Sequence, residues 1–352
     1  MDYKNTLAEL INALINQSGS DLHLASGRKP SMRVTGQLVF LSNSPVYTNE
    51  DIEGMLTELI GKDKLKMFLE KQEVDFAYAF GDTVRLRGNA FFQKGRISVA
   101  LRLIPKNQSI KELNLPPIIE SFARKQQGFF LVVGPVGQGK STTMSAMIDL
   151  INKERAAHII TVEDPIEFVH NSDKSIIDQR EVGIDTKDFN SALTSIFRED
   201  ANVIMIGEMR DAETISTAVT AAETGHLVIS TLHTNTASQT IERIIDSFPG
   251  DQQDQIRVQL AGSLLGIFSQ RLVPRIAGGR IPAYELLINN NAVSNLIREK
   301  RTHEIDVVIE TSLAEGMIDM NRSLIELVRA GEISMESAHQ YSYNPKSLEQ
   351  LL

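Results

Sequence analysis

Residues Gly134-Pro135-Val136-Gly137-Gln138-Gly139-Lys140-Ser141 match G-x-x-x-x-G-K-[ST]. Glycines in such a loop let backbone N–H groups curl around phosphate oxygens, and a helix starting at its end adds positive potential. Lys140 is therefore expected at the β- and γ-phosphates of a bound nucleotide, and the Ser141 hydroxyl on Mg²⁺. Thr142 completes the cradle. The bland alternative is an ordinary Gly-rich turn. The context argues against it: the apolar run 129–133 precedes the loop, and Met144, Met147, Ile148 and Ile151 follow at helical spacing.

The acid–base groups fall just after other short apolar runs. Glu163 and Asp164 follow 158–162, Gly207-Glu208 follows 203–206, and Thr231-Leu232-His233 follows 227–230. In an open α/β sheet, ligands bind beyond the carboxyl ends of the strands. Lys140, Glu163, Glu208 and His233 are thus expected on one rim, where a carboxylate can hold Mg²⁺ and another can polarise the attacking water. His226 and His233 flank the run 227–230. Their spacing is not HExxH and the chain has no cysteine, so zinc fits poorly; core hydrogen bonding and nucleotide sensing both remain open. Arg85, Arg87 and Arg102 lie on polar strand faces, where they either meet solvent or reach a phosphate across a subunit interface.

These groups need a scaffold. The four nearly continuous apolar runs suit strands buried on both faces of a parallel sheet, and the helical patterns between them imply an α/β domain. Past about residue 285 the pattern is helical, with Ala292, Leu296 and Ile297, then Leu324, Ile325 and Val328. Upstream, Leu7, Leu10, Ile11, Leu14 and Ile15 mark one face of a helix that Ser18-Gly19-Ser20 breaks. Strand-like pieces follow at 21–24 and 37–40. A helix is expected from about Asn49, N-capped by Thr48, with Ile52, Met55, Leu56 and Leu59 on one face. Strands return at 75–80, 84–87 and 96–104; in the last, Ile97, Val99, Leu101 and Leu103 alternate with Arg96, Ser98 and Arg102. The polar stretch between Pro105 and Pro117 reads as a linker. The expected division is an α+β domain at 1–104, a linker at 105–117, an α/β core at 118–285 and a helical region at 286–352.

Composition narrows the class. The chain has 352 residues, room for about two domains, and its 42% hydrophobic content excludes a disordered or collagenous chain. No apolar run approaches the ~18 residues that span a bilayer, and the start MDYKNTLAEL lacks the features of a secretory signal. Zero cysteines exclude disulfides. A net charge of −9 argues against a chain that coats nucleic acid, although a local basic channel is compatible with it. A cytoplasmic location is expected.

Several blocks together carry a resemblance: SDLHL (20–24), GPVGQGKSTT (134–143), TVEDPIEF (161–168), QREVG (179–183), GEMRDAETI (207–215), TAAETGHLVISTLHTN (220–235) and QIRVQLAGSLLGIFSQRLVPR (255–275). In this order they resemble the secretion-type ATPases of type II secretion and type IV pili, nearest to the pilus-retraction branch. The resemblance implies a PAS-like N-terminal domain, a linker, and a RecA-like P-loop ATPase domain with a mainly parallel sheet and C-terminal helices. It implies a homo-hexameric ring with ATP and Mg²⁺ at subunit interfaces. In it, residues 134–141 correspond to Walker A, Glu208 to the Walker B carboxylate and Glu163 to the glutamate that activates water. His226 and His233 correspond to a histidine pair at the nucleotide. Arg87, before Gly88-Asn89, and Arg102, in LRLIP, correspond to fingers donated by the PAS-like domain. The implied setting is the inner face of the cytoplasmic membrane, with an inner-membrane platform protein and a paralogous pilus ATPase as partners, and no nucleic acid.

The chain departs from that pattern in three places. Gln138 stands where a serine is usual, Ser294 replaces an arginine in the segment Ala292-Val293-Ser294-Asn295-Leu296-Ile297-Arg298-Glu299, and the basic turn of the first domain is thinned to Gln93-Lys94-Gly95-Arg96. Because backbone amides bind phosphate in such a loop, Gln138 is expected to have little effect. Pilus extension and type II secretion ATPases are the neighbouring alternative; a start at the PAS-like domain and the lack of a four-cysteine zinc element speak against them. An accessory retraction ATPase fits the same residues. A nucleic-acid motor would need a basic, aromatic-studded channel, which 0 Trp, 6% aromatics and the net charge disfavour.

Overall fold

A computed structural model describes every residue except Met1, Thr35, Asp82, Thr83, Pro105, Lys106 and Leu352, so the first two residues of the expected linker lie outside the described residues. The chain forms two compact units, Met1–Lys106 with Glu167–Val169, and Asn107–Ile166 with His170–Leu352.

In the first unit, helix α1 (Tyr3–Asn16) buries Leu7, Leu10, Ile11 and Leu14, and the Asp2 side chain caps its start. Strands β1 (Gly19–Ala25), β2 (Ser31–Val34) and β3 (Gln37–Phe40) follow. Helix α2 (Asn49–Lys71) starts with a reciprocal capping box between Thr48 and Asp51, and buries Ile52, Met55, Leu56 and Leu59 as the spacing predicts. Gly61, at φ 75, interrupts it in a conformation that only glycine adopts freely. Strands β4 (Glu73–Phe80), β5 (Val84–Gln93) and β6 (Arg96–Leu103) complete an antiparallel sheet in the order β3-β2-β1-β6-β5-β4. On β6, Ser98, which alternates with Ile97 and Val99, is also buried. The Gln93 carboxamide donates to its hydroxyl at 2.6 Å, which satisfies a small polar group inside. The four residues of β2 are too few to show a period.

The second unit runs α3 (Ile118–Ala123), β7 (Gly128–Val133), α4 (Lys140–Glu154), β8 (His158–Glu163), β9 (Ile176–Glu181), α5 (Phe189–Ile196), β10 (Val203–Ile206), α6 (Ala212–Glu223), β11 (Leu227–Leu232), α7 (Ala237–Asp246), α8 (Gln253–Ser263), β12 (Leu264–Pro274) and β13 (Arg280–Ile288). The α-helices α9 (Asn291–Arg298), α10 (Ile305–Thr311), α11 (Met320–Arg329), α12 (Met335–Tyr341) and α13 (Pro345–Glu349) follow. The sheet order is β13-β12-β7-β11-β10-β8-β9, with every pair parallel except the β12–β13 hairpin. The four apolar runs are its central strands. On β7, Phe129, Leu131 and Val133 enter one core, and Phe130 and Val132 enter the other, which is why the run shows no alternation. A smaller cluster joins Val273, Ile281 and Ala283 of the hairpin to Met320, Leu324, Ile325, Ala338 and Leu348, fixing the last helices to the outer part of β12. Among the described residues, no helix is long and apolar enough to cross a membrane.

Candidate active site

β7 ends at Val133 and α4 begins at Lys140, so the Gly-rich motif is the turn between a buried strand and a helix N-terminus. Two of its glycines are sterically required. A Cβ on Gly134 (φ 144) would lie 2.5 Å from the Gln270 carbonyl oxygen, and one on Gly139 (φ 82) would lie 2.9 Å from Gln270 Nε2. Val136 sits exposed at the tip. Lys140 is buried, and its ammonium donates to the carbonyls of Gly134 at 2.8 Å and Pro135 at 3.0 Å. Ser141 and Thr142 are half-buried in the first turn of α4. Gln138 does more than its loop position suggests: its carboxamide oxygen accepts the Leu272 N–H at 2.6 Å, and its carbonyl accepts Gln270 Nε2 at 2.7 Å. Gln270 is a site residue that no sequence motif marks; its one signal is an amide among the mostly apolar residues of β12.

The rim forms as a chain of contacts. His233 Nδ1 lies 3.2 Å from Lys140 Nζ, and His233 Nε2 lies 3.3 Å from Glu208 Oε1. An ammonium only donates, so Nδ1 accepts and Nε2 carries the proton toward the carboxylate. The imidazole is neutral in this arrangement, and partial burial together with the Lys140 charge holds it below the usual histidine range. Arg210, also not anticipated, pairs with Glu208 at 2.8 Å and lies 3.9 Å from Asp164.

Glu163 leaves the neighbouring strand: Val162 pairs with Ile206, and a Cβ on Gly207 would lie 3.3 Å from Glu163 Cα. Its carboxylate is buried and turned toward β8 and β9, with Oε1 accepting from the Thr161 hydroxyl at 2.7 Å and Gln179 Nε2 at 3.1 Å. Lys140, His233 and Glu208 are thus joined directly, and Glu163 ends the adjacent strand.

His226 is not in this cluster. It precedes β11 whereas His233 follows it, and six extended residues, roughly 20 Å of strand, lie between them. Its ring lies 2.9 Å from the Ala221 carbonyl and stands edge-on to Phe197. The two histidines that the resemblance pairs thus stand at opposite ends of β11, as their flanking of the run 227–230 implies.

In the first unit, strand register lines up Arg87, Arg102, Asp21 and Arg33 across β5, β6, β1 and β2. Arg102 donates to Asp21 at 2.8 Å while its side chain stays 72% exposed, and Arg87 is exposed. Burial opposes ionisation of Asp21, but hydrogen bonds from Ser20 and Arg102 hold its carboxyl below the ordinary range. Arg85 is half-buried.

The loop after His233 is held from several sides. The Asn235 carbonyl accepts from Ser269 Oγ and the Tyr343 hydroxyl, each at 2.5 Å, and Arg271 donates to Asn235 Oδ1 at 2.9 Å. The Arg271 guanidinium lies 5.0 Å over the Tyr343 ring. Where α7 begins, the Ala237 N–H donates to Glu285 Oε1 at 2.7 Å. Burial, reinforced by Asp306 and Asp319, pushes the Glu285 carboxyl up to about 8 against that one hydrogen bond.

The chain is similar to known proteins over most of its length. Residues 81–280 match the family model described as type II/IV secretion system protein. The chain is 40% identical to the type IV pilus retraction ATPase PilT of Pseudomonas aeruginosa, covering 97% of this chain and 99% of that protein. It is 38% identical to the type IV pilus ATPase PilU of the same organism, covering 98% and 90%. A crystal structure of the pilus retraction motor PilT with bound ADP superposes with a TM-score of 0.91 at 43% identity, covering 97% of this chain and 98% of that one.

Proposed function

The chain belongs to the type II/IV secretion system protein family, and on that premise we propose that it is a Mg²⁺-dependent ATPase working as a homo-hexameric motor for type IV pilus retraction. The observation that carries the proposal is the unbroken chain from the phosphate loop through Lys140 and His233 to Glu208.

Backbone amides of residues 137–142 cradle the β- and γ-phosphates, and the Lys140 ammonium turns from the loop carbonyls to phosphate oxygens, where it stabilises developing charge. The donors fit Mg²⁺: the Ser141 hydroxyl and the Glu208 carboxylate are hard oxygen ligands. Among the described residues no group of three or more His, Asp or Glu could hold a metal, so the remaining ligands would be phosphates and water. When bound, Mg²⁺ neutralises charge on the phosphates. Glu163, with one oxygen fixed by Thr161 and Gln179, orients the attacking water. His233, neutral, links Lys140 to Glu208 and reads the γ-phosphate position. Arg87 and Arg102 reach the site of a neighbouring subunit in the ring. The domain limits in this reading are 1–104 (PAS-like), 105–117 (linker), 118–285 (RecA-like core) and 286–352 (helical region). The motor sits at the cytoplasmic face of the membrane with a platform protein and no nucleic acid.

A second reading, an accessory retraction ATPase, is supported by an identity to PilU of 38%, about as high as the 40% to PilT. Deletion in cells separates the two: loss of the main motor leaves pili that no longer retract, whereas loss of an accessory motor leaves retraction measurable. Biochemically, Mg²⁺-dependent turnover should be indifferent to single-stranded DNA. Lys140→Ala should keep the fold and lose turnover by orders of magnitude. Near wild-type activity in that variant would sink the assignment.

A further inference from the structure

Four consecutive residues of β12 reach both nucleotide-facing loops. β12 pairs with β7 only as far as Ser269↔Val133, then continues to Pro274 on its β13 hydrogen bonds. Beyond Ser269 the edge that β7 occupied faces the phosphate loop, and the Gln138 side chain takes up the Leu272 N–H there. Gln270 is buried and bridges the late part of the loop to α4. It donates through Nε2 to the Gln138 carbonyl at 2.7 Å and accepts through Oε1 from the Thr143 hydroxyl in the first turn of α4, also at 2.7 Å. The two residues beside it in sequence point to the opposite face, as strand geometry requires. There Ser269 and Arg271 bond the loop that carries His233.

We propose that Gln270 is a positioning residue for ATP hydrolysis, its carboxamide setting the spacing between the phosphate loop and the first turn of α4. The orientation of this amide is fixed by chemistry: a carbonyl oxygen can only accept, so Nε2 must face Gln138 and Oε1 must face Thr143. One contact, at Gln138, lies in the segment whose N–H groups would face phosphate, and the other, at Thr143, follows it directly. An error in this brace therefore misplaces those donors without touching the nucleotide itself. The inference rests on the ATPase reading above.

The experiment uses the full-length protein with Gln270→Glu and Gln270→Met. The glutamate keeps the acceptor for Thr143 and sets an oxygen against the Gln138 carbonyl; the methionine keeps the volume and removes both hydrogen bonds. ATPase kinetics, the dissociation constant of a fluorescent ADP analogue and the melting temperature are measured. The expected result is a KM for ATP and an ADP dissociation constant raised at least about 5-fold in Gln270→Glu, the cost of an unpaired buried acceptor, with kcat less affected. Gln270→Met should show a smaller shift of the same sign. Wild-type nucleotide affinity in both folded variants would overturn the proposal. Should both fail to fold, Thr143→Val removes only the hydroxyl donor, and unchanged affinity there overturns it equally. Lys140→Ala is the control. If it stays active, the ATPase site itself is misassigned; if it is dead while the Gln270 variants are normal, only this inference falls.

Discussion

Glu285→Gln should make the protein more stable above neutral pH and leave it nearly unchanged in acid. Glu285 lies in β13 with 6% of its surface exposed, its carboxyl raised from 4.5 to about 8 by burial and by Asp306 and Asp319. In the unfolded chain it loses its proton near the ordinary value, whereas the native carboxyl keeps it. Between those two pH values the native state binds more protons than the unfolded one, so stability falls as pH rises. The slope is about 1.4 kcal/mol per pH unit, and the window sums to about 5 kcal/mol, of which about 3 is already lost by pH 7. Glutamine keeps a carbonyl oxygen for the Ala237 N–H and carries no titrating proton, so this loss disappears. The assay is urea denaturation of the wild type and the variant at pH 5, 6, 7 and 8. The two midpoints should nearly coincide at pH 5 and separate steadily in favour of the variant, with the gap levelling off above about pH 8. Parallel curves, or a variant less stable than the wild type at pH 8, would refute the reasoning.

The two glutamates at the rim should separate in a Mg²⁺ titration: Glu163→Gln lowers kcat strongly with little change in nucleotide affinity, whereas Glu208→Gln also raises the Mg²⁺ needed for half-maximal turnover. If Glu163→Gln alone shows the Mg²⁺ shift, the roles are exchanged. If Arg87 and Arg102 act across subunits, specific activity rises with protein concentration, and mixing Arg102→Ala with Glu208→Gln subunits restores part of it. Flat activity and no rescue would return both arginines to solvent-facing roles.

The parts of the site with local signatures were legible in the sequence. The Gly-rich loop declares itself because its backbone needs glycine at Gly134 and Gly139, and the rim residues because each follows a strand buried on both faces. Thr48 announced the start of α2 as its N-cap. What stayed hidden depends on contacts between residues far apart in the chain. Gln270 and Thr143 are 127 residues apart, and Glu285 and Ala237 are 48 apart. No pattern within β12 or β13 signals either pairing. His226 shows both: its place before β11 was plain in the sequence, but its edge-on contact with Phe197, from a distant part of the chain, was not.

The alternation along residues 269–272 has an evolutionary corollary. Substitutions there alter one brace at a time, but a single inserted or deleted residue would rotate the rest of the strand by half a turn and exchange the partners of the two loops. The Arg271 side chain would then face the Gly-rich loop, and an amide would face Asn235. Length in this stretch should accordingly be invariant among descendants of this gene, even where identity drifts. Length changes should collect instead in the turn at 275–279, between the end of β12 and the start of β13, where a loop can grow without moving either brace.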